Sequence, residues 1–162
     1  MSELIWESNM FLFERAELKS NPARFVRTRE VRFQDVDAAG IIFYPRLLEY
    51  FHDAYLEFLS HVGQPLHASL GHSSWLSPVR HAEADFLRPL RFGERIEVGI
   101  VGLRLTPEPE PTEVTLGFRI SKLEPAEAAC LGQSVHTFVD AISFRRTSIP
   151  QELLLAYRGL GA

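Results

Sequence analysis

Between residues 32 and 45 the chain reads Arg32-Phe33-Gln34-Asp35-Val36-Asp37-Ala38-Ala39-Gly40-Ile41-Ile42-Phe43-Tyr44-Pro45. Two carboxylates and a glycine lie in a predicted turn that runs straight into a long apolar-periodic segment. The start of a helix presents N–H groups with no intrahelical acceptor and a partial positive charge. A carboxylate beside such donors can attack a carbonyl carbon, or activate water to do so, while the donors hold the developing oxyanion. Asp35 and Asp37 also suit a turn and a helix cap, and on residue type alone that is the commoner use.

The elements that must position this turn are legible on both sides of it. Phe25 to Phe33 is rich in β-branched and aromatic residues and predicts a strand, with Arg27, Arg29 and Arg32 facing solvent or a phosphate. Pro45 to Val62 predicts a helix. Pro45 suits its first turn, and Gly63 suits its C-terminal cap. Leu47, Leu48, Phe51, Tyr55, Phe58, Leu59 and Val62 recur at helical spacing and make a broad apolar stripe, so the helix is expected to be embedded in something concave. Glu49, Asp53 and Glu57 form an acidic row read as a solvated face. A short helix is expected near residues 65–70.

From Pro78 onward the period changes to two. Ala82, Ala84 and Phe86 alternate with His81, Glu83 and Asp85. Further strands are expected at Arg95 to Leu105, Glu113 to Lys122 and Gly132 to Ser143, with a C-terminal helix opening at Pro150. The prolines at 107, 109 and 111 make residues 106–112 an exposed stiff loop. Strands segregated from one long helix predict an α+β domain in which a curved antiparallel sheet wraps that helix.

Composition bounds the function classes. The 162 residues are 46% hydrophobic and 23% charged, enough for one domain with a substantial core. Residues 1–22 read as an N-terminal extension that could be laid on a partner subunit, and residues 23–162 as a single domain. The formal net charge of -4 argues against non-specific nucleic-acid binding. No apolar run reaches the roughly 18 residues of a membrane-spanning helix, and the N-terminus lacks the pattern of a signal peptide. The lone Cys130 excludes an internal disulfide and fits a cytoplasmic setting. His52, His61, His67, His72 and His81 show no recurring ligand spacing, so no metal and no cofactor are expected.

Taken together, Phe33-x-Asp35-x-Asp37-x-x-Gly40-x-x-Phe43-Tyr44, followed by Tyr50-Phe51 and Ala54 on the helix, resembles the signature of hotdog-fold thioesterases of the 4-hydroxybenzoyl-CoA thioesterase type. His81-Ala82-Glu83-Ala84-Asp85-Phe86-Leu87-Arg88-Pro89 and the turn Phe92-Gly93-Glu94 are similar to that family's second and third strands. His136 to Asp140 and Ile149 to Leu153 resemble its last strand and closing helix. The likeness spans about residues 25 to 157, leaning towards the dihydroxynaphthoyl-CoA thioesterases.

The resemblance implies a hotdog fold and hydrolysis of an acyl-CoA, for which an aromatic acyl group such as hydroxybenzoyl or dihydroxynaphthoyl is plausible. It implies a homodimer or homotetramer with active sites at the subunit interface. It makes Asp37 the catalytic carboxylate, as nucleophile or general base. Gly40 would permit the tight turn, and the backbone N–H of Tyr44 would hold the thioester oxygen. Ser77 would approach the acyl group across the interface. Coenzyme A carries phosphates, but the loop at residues 106–111 is acidic where related enzymes are basic. Arg88, Arg91, Arg145 and Arg146 are the alternatives, with Arg145 and Arg146 placed where a nucleotide tail could reach. The competing reading is a non-catalytic module on the same fold that binds acyl-CoA or an acyl carrier. A hydratase is disfavoured because residues 34–45 contain no histidine.

Overall fold

The computed structural model describes residues 12–69, 71, 73–107 and 109–161. The first eleven residues of the expected extension, Leu70 at the end of the predicted short helix, His72, and Glu108 in the proline loop lie outside them.

The chain forms α1 (Arg15–Ser20), β1 (Phe25–Glu30), a single 3-10 turn at Phe33–Asp35, then α2 (Pro45–His61) and α3 (Leu66–Ser69). The strands β2 (Trp75–Leu76), β3 (Val79–Phe86), β4 (Arg95–Leu105), β5 (Glu113–Leu123), β6 (Ala126–Thr137) and β7 (Val139–Asp140) follow, and α4 (Gln151–Gly159) closes the chain. Five strands make one antiparallel sheet in the order β1-β4-β5-β6-β3, and β2 pairs with β7 apart from it. With α2 packed against the sheet, this is the helix-and-antiparallel-sheet arrangement that the patterning predicts and the hotdog fold that the resemblance implies.

The helix buries Leu47, Tyr50, Phe51, Ala54, Tyr55, Phe58 and Leu59. Each large side chain of that set contributes about 1.5–3 kcal/mol of burial. Against it the sheet presents Ile96, Val98, Ile100, Val114, Leu116, Phe118 and Ile120. Phe51 stacks on Phe118 with ring centroids 4.9 Å apart, directly over Gly132. A Cβ at Gly132 would collide with the Phe51 ring, so the glycine sets how closely helix and sheet approach. The expected stripe holds except that Leu48 is exposed, while Tyr50 and Ala54 belong to the buried set.

Other expectations are corrected. The last long strand starts at Ala126, six residues before its expected start, because residues 126–131 pair with β5 across the tight turn between them. The described part of the extension lies on its own sheet. Phe13 and Leu18 pack with Val101 and Leu131 on the outer face. There the Phe13 backbone exchanges two hydrogen bonds with the Gln133 amide at 2.7 and 3.1 Å. Arg27 and Arg29 are tied to side chains of α2. They pair with the acidic row: Arg27 with Glu57 at 2.9 Å, Arg29 with Asp53 at 2.9 Å and Glu57 at 2.8 Å.

Candidate active site

The turn between β1 and α2 closes as a small hairpin. Val36 and Ile42 form an isolated antiparallel bridge, the Asp37 N–H donates to Ile41 O at 2.9 Å, and the Gly40 N–H donates to Asp37 O at 3.0 Å. Gly40 adopts φ +73°, left-handed backbone that glycine takes without the Cβ penalty. The hairpin sends the two carboxylates to opposite sides. Asp35 is fully buried, and its carboxylate takes hydrogen bonds from Arg32 Nε at 2.8 Å and the Tyr50 hydroxyl at 2.7 Å, with Arg46 at 3.7 Å. Burial pushes the Asp35 carboxyl up, but the hydrogen bonds from Arg32 and Tyr50 and the charges of Arg32 and Arg46 outweigh it, holding the group below the usual range. Asp35 is thus a structural anchor that ties the turn to α2. Asp37 is exposed. Its Oδ1 accepts from the Ala39 N–H at 2.8 Å, and Oδ2 has no hydrogen-bond partner among the described residues.

Tyr44 caps α2 with helical dihedrals, and Pro45 follows at the first helical position. The Phe43 N–H donates to Asp35 O and the Arg46 N–H to Phe43 O, at 2.8 and 2.9 Å. The Tyr44 N–H makes no hydrogen bond among the described residues, and Pro45 has no N–H to offer. One free donor therefore stands at the positive end of a 17-residue helix, at the end of the hairpin that carries Asp37. Beside it opens a cavity of about 330 Å³ between Ile41, Ile42, Tyr44 and Leu47 on one side and Phe86, Arg88 and Pro89 on the other.

A second cleft lies further along the same helix. Two cavities of about 400 and 470 Å³ share His52, Tyr55 and His136 and continue past Trp75, Ser77, Phe144 and Leu153. Within it His136 is buried, its Nε2 3.0 Å from Ser134 Oγ, and its ring stacks on His52 at 6.4 Å. Burial, then the neighbouring His52, push the His136 imidazole down to about 4 against a pull upward from the Ser77 backbone, so the ring is neutral at physiological pH. The Ser77 hydroxyl is buried without a hydrogen-bond partner among the described residues.

A match to the family model described as "Thioesterase-like superfamily" extends over residues 31–156. The chain belongs to that superfamily. This thioesterase-like chain is 30% identical over 130 residues to a 1,4-dihydroxy-2-naphthoyl-CoA hydrolase of Nostoc punctiforme, covering 80% of this chain and 84% of the relative. It is 30% identical over 128 residues to the enzyme of that name from Rippkaea orientalis, at 78% and 90% coverage. Its structure is similar to that of a 1,4-dihydroxy-2-naphthoyl-CoA thioesterase from Synechocystis, with a TM-score of 0.76, 25% identity, and 85% and 98% coverage.

Asp37, Gly40 and Tyr44 of the thioesterase-like chain come together at one end of α2. Ser77, Arg145 and Arg146 gather towards the other. Tyr44, at the first cavity, and Tyr55, at the aromatic end of the second cleft, are eleven residues apart, about 16 Å along the helix, and the second cleft runs back along α2 as far as Leu48. Arg146 is bound to the buried Glu113 at 2.9 Å, in a cluster with Arg80 and Thr137, while Arg145 makes no ion pair among the described residues. Two features escape the sequence reading. Tyr50, read from the sequence only as part of the helix signature, is the hydroxyl that fixes Asp35, and the signal for that role is a polar tip within an apolar helix face. His136 sits at an inward position of β6, where alternation with Val135 and Thr137 was the available signal.

Proposed function

We propose that the protein hydrolyses an aromatic acyl-CoA thioester to the free acid and CoA. The observation that carries this reading is the unpartnered Tyr44 N–H at the head of α2, beside the hairpin that exposes Asp37. A thioester oxygen accepting from that N–H gains a donor where negative charge develops, and losing such a donor typically costs roughly 10²–10³ in rate. Asp37 then acts in one of two ways. As a base it takes a proton from water, hydroxide oxygen bonds to the carbonyl carbon, and the C–S bond breaks to release the thiolate. As a nucleophile it displaces the thiolate and forms an anhydride, which water opens. Thiolate leaves readily, so the absence of a histidine beside Asp37 is no obstacle.

The relatives named 1,4-dihydroxy-2-naphthoyl-CoA hydrolase support a two-ring hydroxylated acyl group. So does the cleft walled by Tyr55, Trp75, His136 and Phe144. Its volume is within the range of small-molecule sites.

The cleft belongs to the distal end of α2, and pairing of two copies would bring it to the catalytic end. β3 is an edge strand whose Val79 and Phe86 are exposed, alongside exposed Phe43 and Tyr44. Such an apolar edge calls for a cover. Two copies of β3 pairing antiparallel would set the Val79 end of one against the Phe86 end of the other, where the Tyr44 and Phe86 rings lie 6.2 Å apart. Ser77 and its cleft would then face the Asp37 and Tyr44 of the partner. The proposed assembly is a homodimer, or a tetramer made of two, in the reducing cytoplasm. Among the described residues no helix is long and apolar enough to cross a membrane.

Thiol release from a panel of acyl-CoA substrates tests the activity. Asp37→Asn is expected to lower turnover by at least about 10³ while the variant stays folded and dimeric by light scattering. Full activity in that variant would sink the mechanism. Tight acyl-CoA binding with no turnover by the native protein would favour the non-catalytic module.

A further inference from the structure

We infer that the nucleotide end of the CoA substrate lands on the turn at residues 91–95, with Arg91 and Arg95 holding phosphate and the Phe33–Phe92 pair stacking the adenine. The inference rests on the thioester-hydrolase reading and adds where the non-reacting half of the substrate is held.

Four observations carry it. First, Phe33 is 74% exposed and Phe92 57% exposed, yet they form an edge-to-face pair with centroids 5.8 Å apart. Two large rings left in water beside each other are a ready platform for a planar base. Second, most arginines of this chain are committed to carboxylates or backbone carbonyls. Among the described residues Arg91, Arg95 and Arg145 are the arginines whose guanidinium groups make no ion pair or hydrogen bond, and two of the three flank Phe92. Guanidinium groups free of acidic partners are the natural donors for phosphate.

Third, the turn is stitched to the catalytic hairpin. Ile41 bridges Arg91, the Ile42 N–H donates to Leu90 O at 2.8 Å, the Gly93 N–H to Val31 O at 2.9 Å, and the Val31 N–H to Glu94 O at 3.0 Å. The backbone geometry of the turn is therefore fixed relative to Asp37 and Tyr44. Fourth, the cavity of about 330 Å³ beside the Tyr44 N–H is lined by Ile41, which bridges Arg91, and by Pro89, two residues before Arg91. A thioester carbonyl at Tyr44, a pantetheine arm through that cavity and phosphates at Arg91 and Arg95 form one path. The acidic proline loop plays no part in it.

The test separates the nucleotide from the reacting end. KM and kcat are measured for an acyl-CoA and for the N-acetylcysteamine thioester of the same acid, which has no nucleotide. Calorimetry with CoA alone is run in parallel at two salt concentrations. The Arg91→Glu, Arg95→Glu double variant is expected to raise KM for the acyl-CoA about tenfold or more, leave kcat within about twofold, and leave the short thioester unchanged. Phe92→Ala is expected to weaken CoA about tenfold with little change in salt dependence. An unchanged KM, an equal rise for both thioesters, or the same loss produced instead by Arg145→Glu would overturn the proposal. If the native protein hydrolyses neither thioester, the hydrolase reading fails. CoA affinity then decides the site alone: its loss in the double variant supports the site, and its persistence there, or its absence in the native chain, overturns it.

Discussion

At the scale of single residues, the chain uses near neighbours for opposite ends. Asp35 and Asp37 are two positions apart, and the hairpin buries one and exposes the other. The spacing made the pair visible in the sequence, and so did the glycine and the helix start. It could not show that Tyr50, fifteen residues on, closes the Asp35 site. Tyr50→Phe removes one hydrogen bond to a buried carboxylate and is expected to cost about 1.5–3 kcal/mol in urea melts, with the fold retained. His136 was equally hidden, since one histidine in an alternating strand carries no signal of its surroundings. It faces His52, Tyr55 and Ser134, with Ser77 beside it. Its folded pKa of about 4 lies below the ordinary 6.5. The unfolded chain therefore takes up a proton first as pH falls. The stability from a neutral His136 is fully present above pH 6.5 and is lost on descending to about pH 4. The expected loss is about 3 kcal/mol, read from denaturant midpoints across that window. His136→Gln should flatten the decline.

At the scale of elements, what was legible is what has a period. The helix after Pro45 repeats at 3.6 over 17 residues and ends at a glycine, and apolar residues alternate from Ile96 to Ile100 in β4 and from Val114 to Ile120 in β5, each run ending at a register shift. The start of β6 was missed because Ala126-Glu127-Ala128-Ala129 has weak strand propensity, and only its pairing with β5 makes it a strand. β2 and β7, two residues each, are too short to show a pattern. α1 is six residues, far too short to hold itself as a helix, so its place is set by docking. Phe13 lies where Gly102 and Gly117 leave room, with the Arg104 guanidinium 4.2 Å from its ring centroid. Phe13→Ala is expected to cost about 3 kcal/mol and to speed amide exchange across residues 13–21. Exchange in α2 should be unaffected.

At the scale of the whole molecule, the distance between the two ends of α2 matters most. Neither periodicity nor motif spacing could reveal it, because it depends on which strand edge stays open and on what a second copy would bring there. If each centre draws Asp37 from one chain and the aromatic cleft from another, two different kinds of defective chain can repair each other. A chain with Asp37→Asn keeps its cleft, and a chain with Ser77→Trp, its cleft filled, keeps its Asp37. Each alone is expected to be inactive. Unfolded together and refolded as a mixture, they should recover about a quarter of native activity, because half the random pairs are mixed and each mixed pair has one whole centre. No recovery, with mixed pairs confirmed by mass, would place each centre within a single chain. In a cell carrying both alleles, that 16 Å would appear as inheritance: two loss-of-function copies of one gene that complement each other.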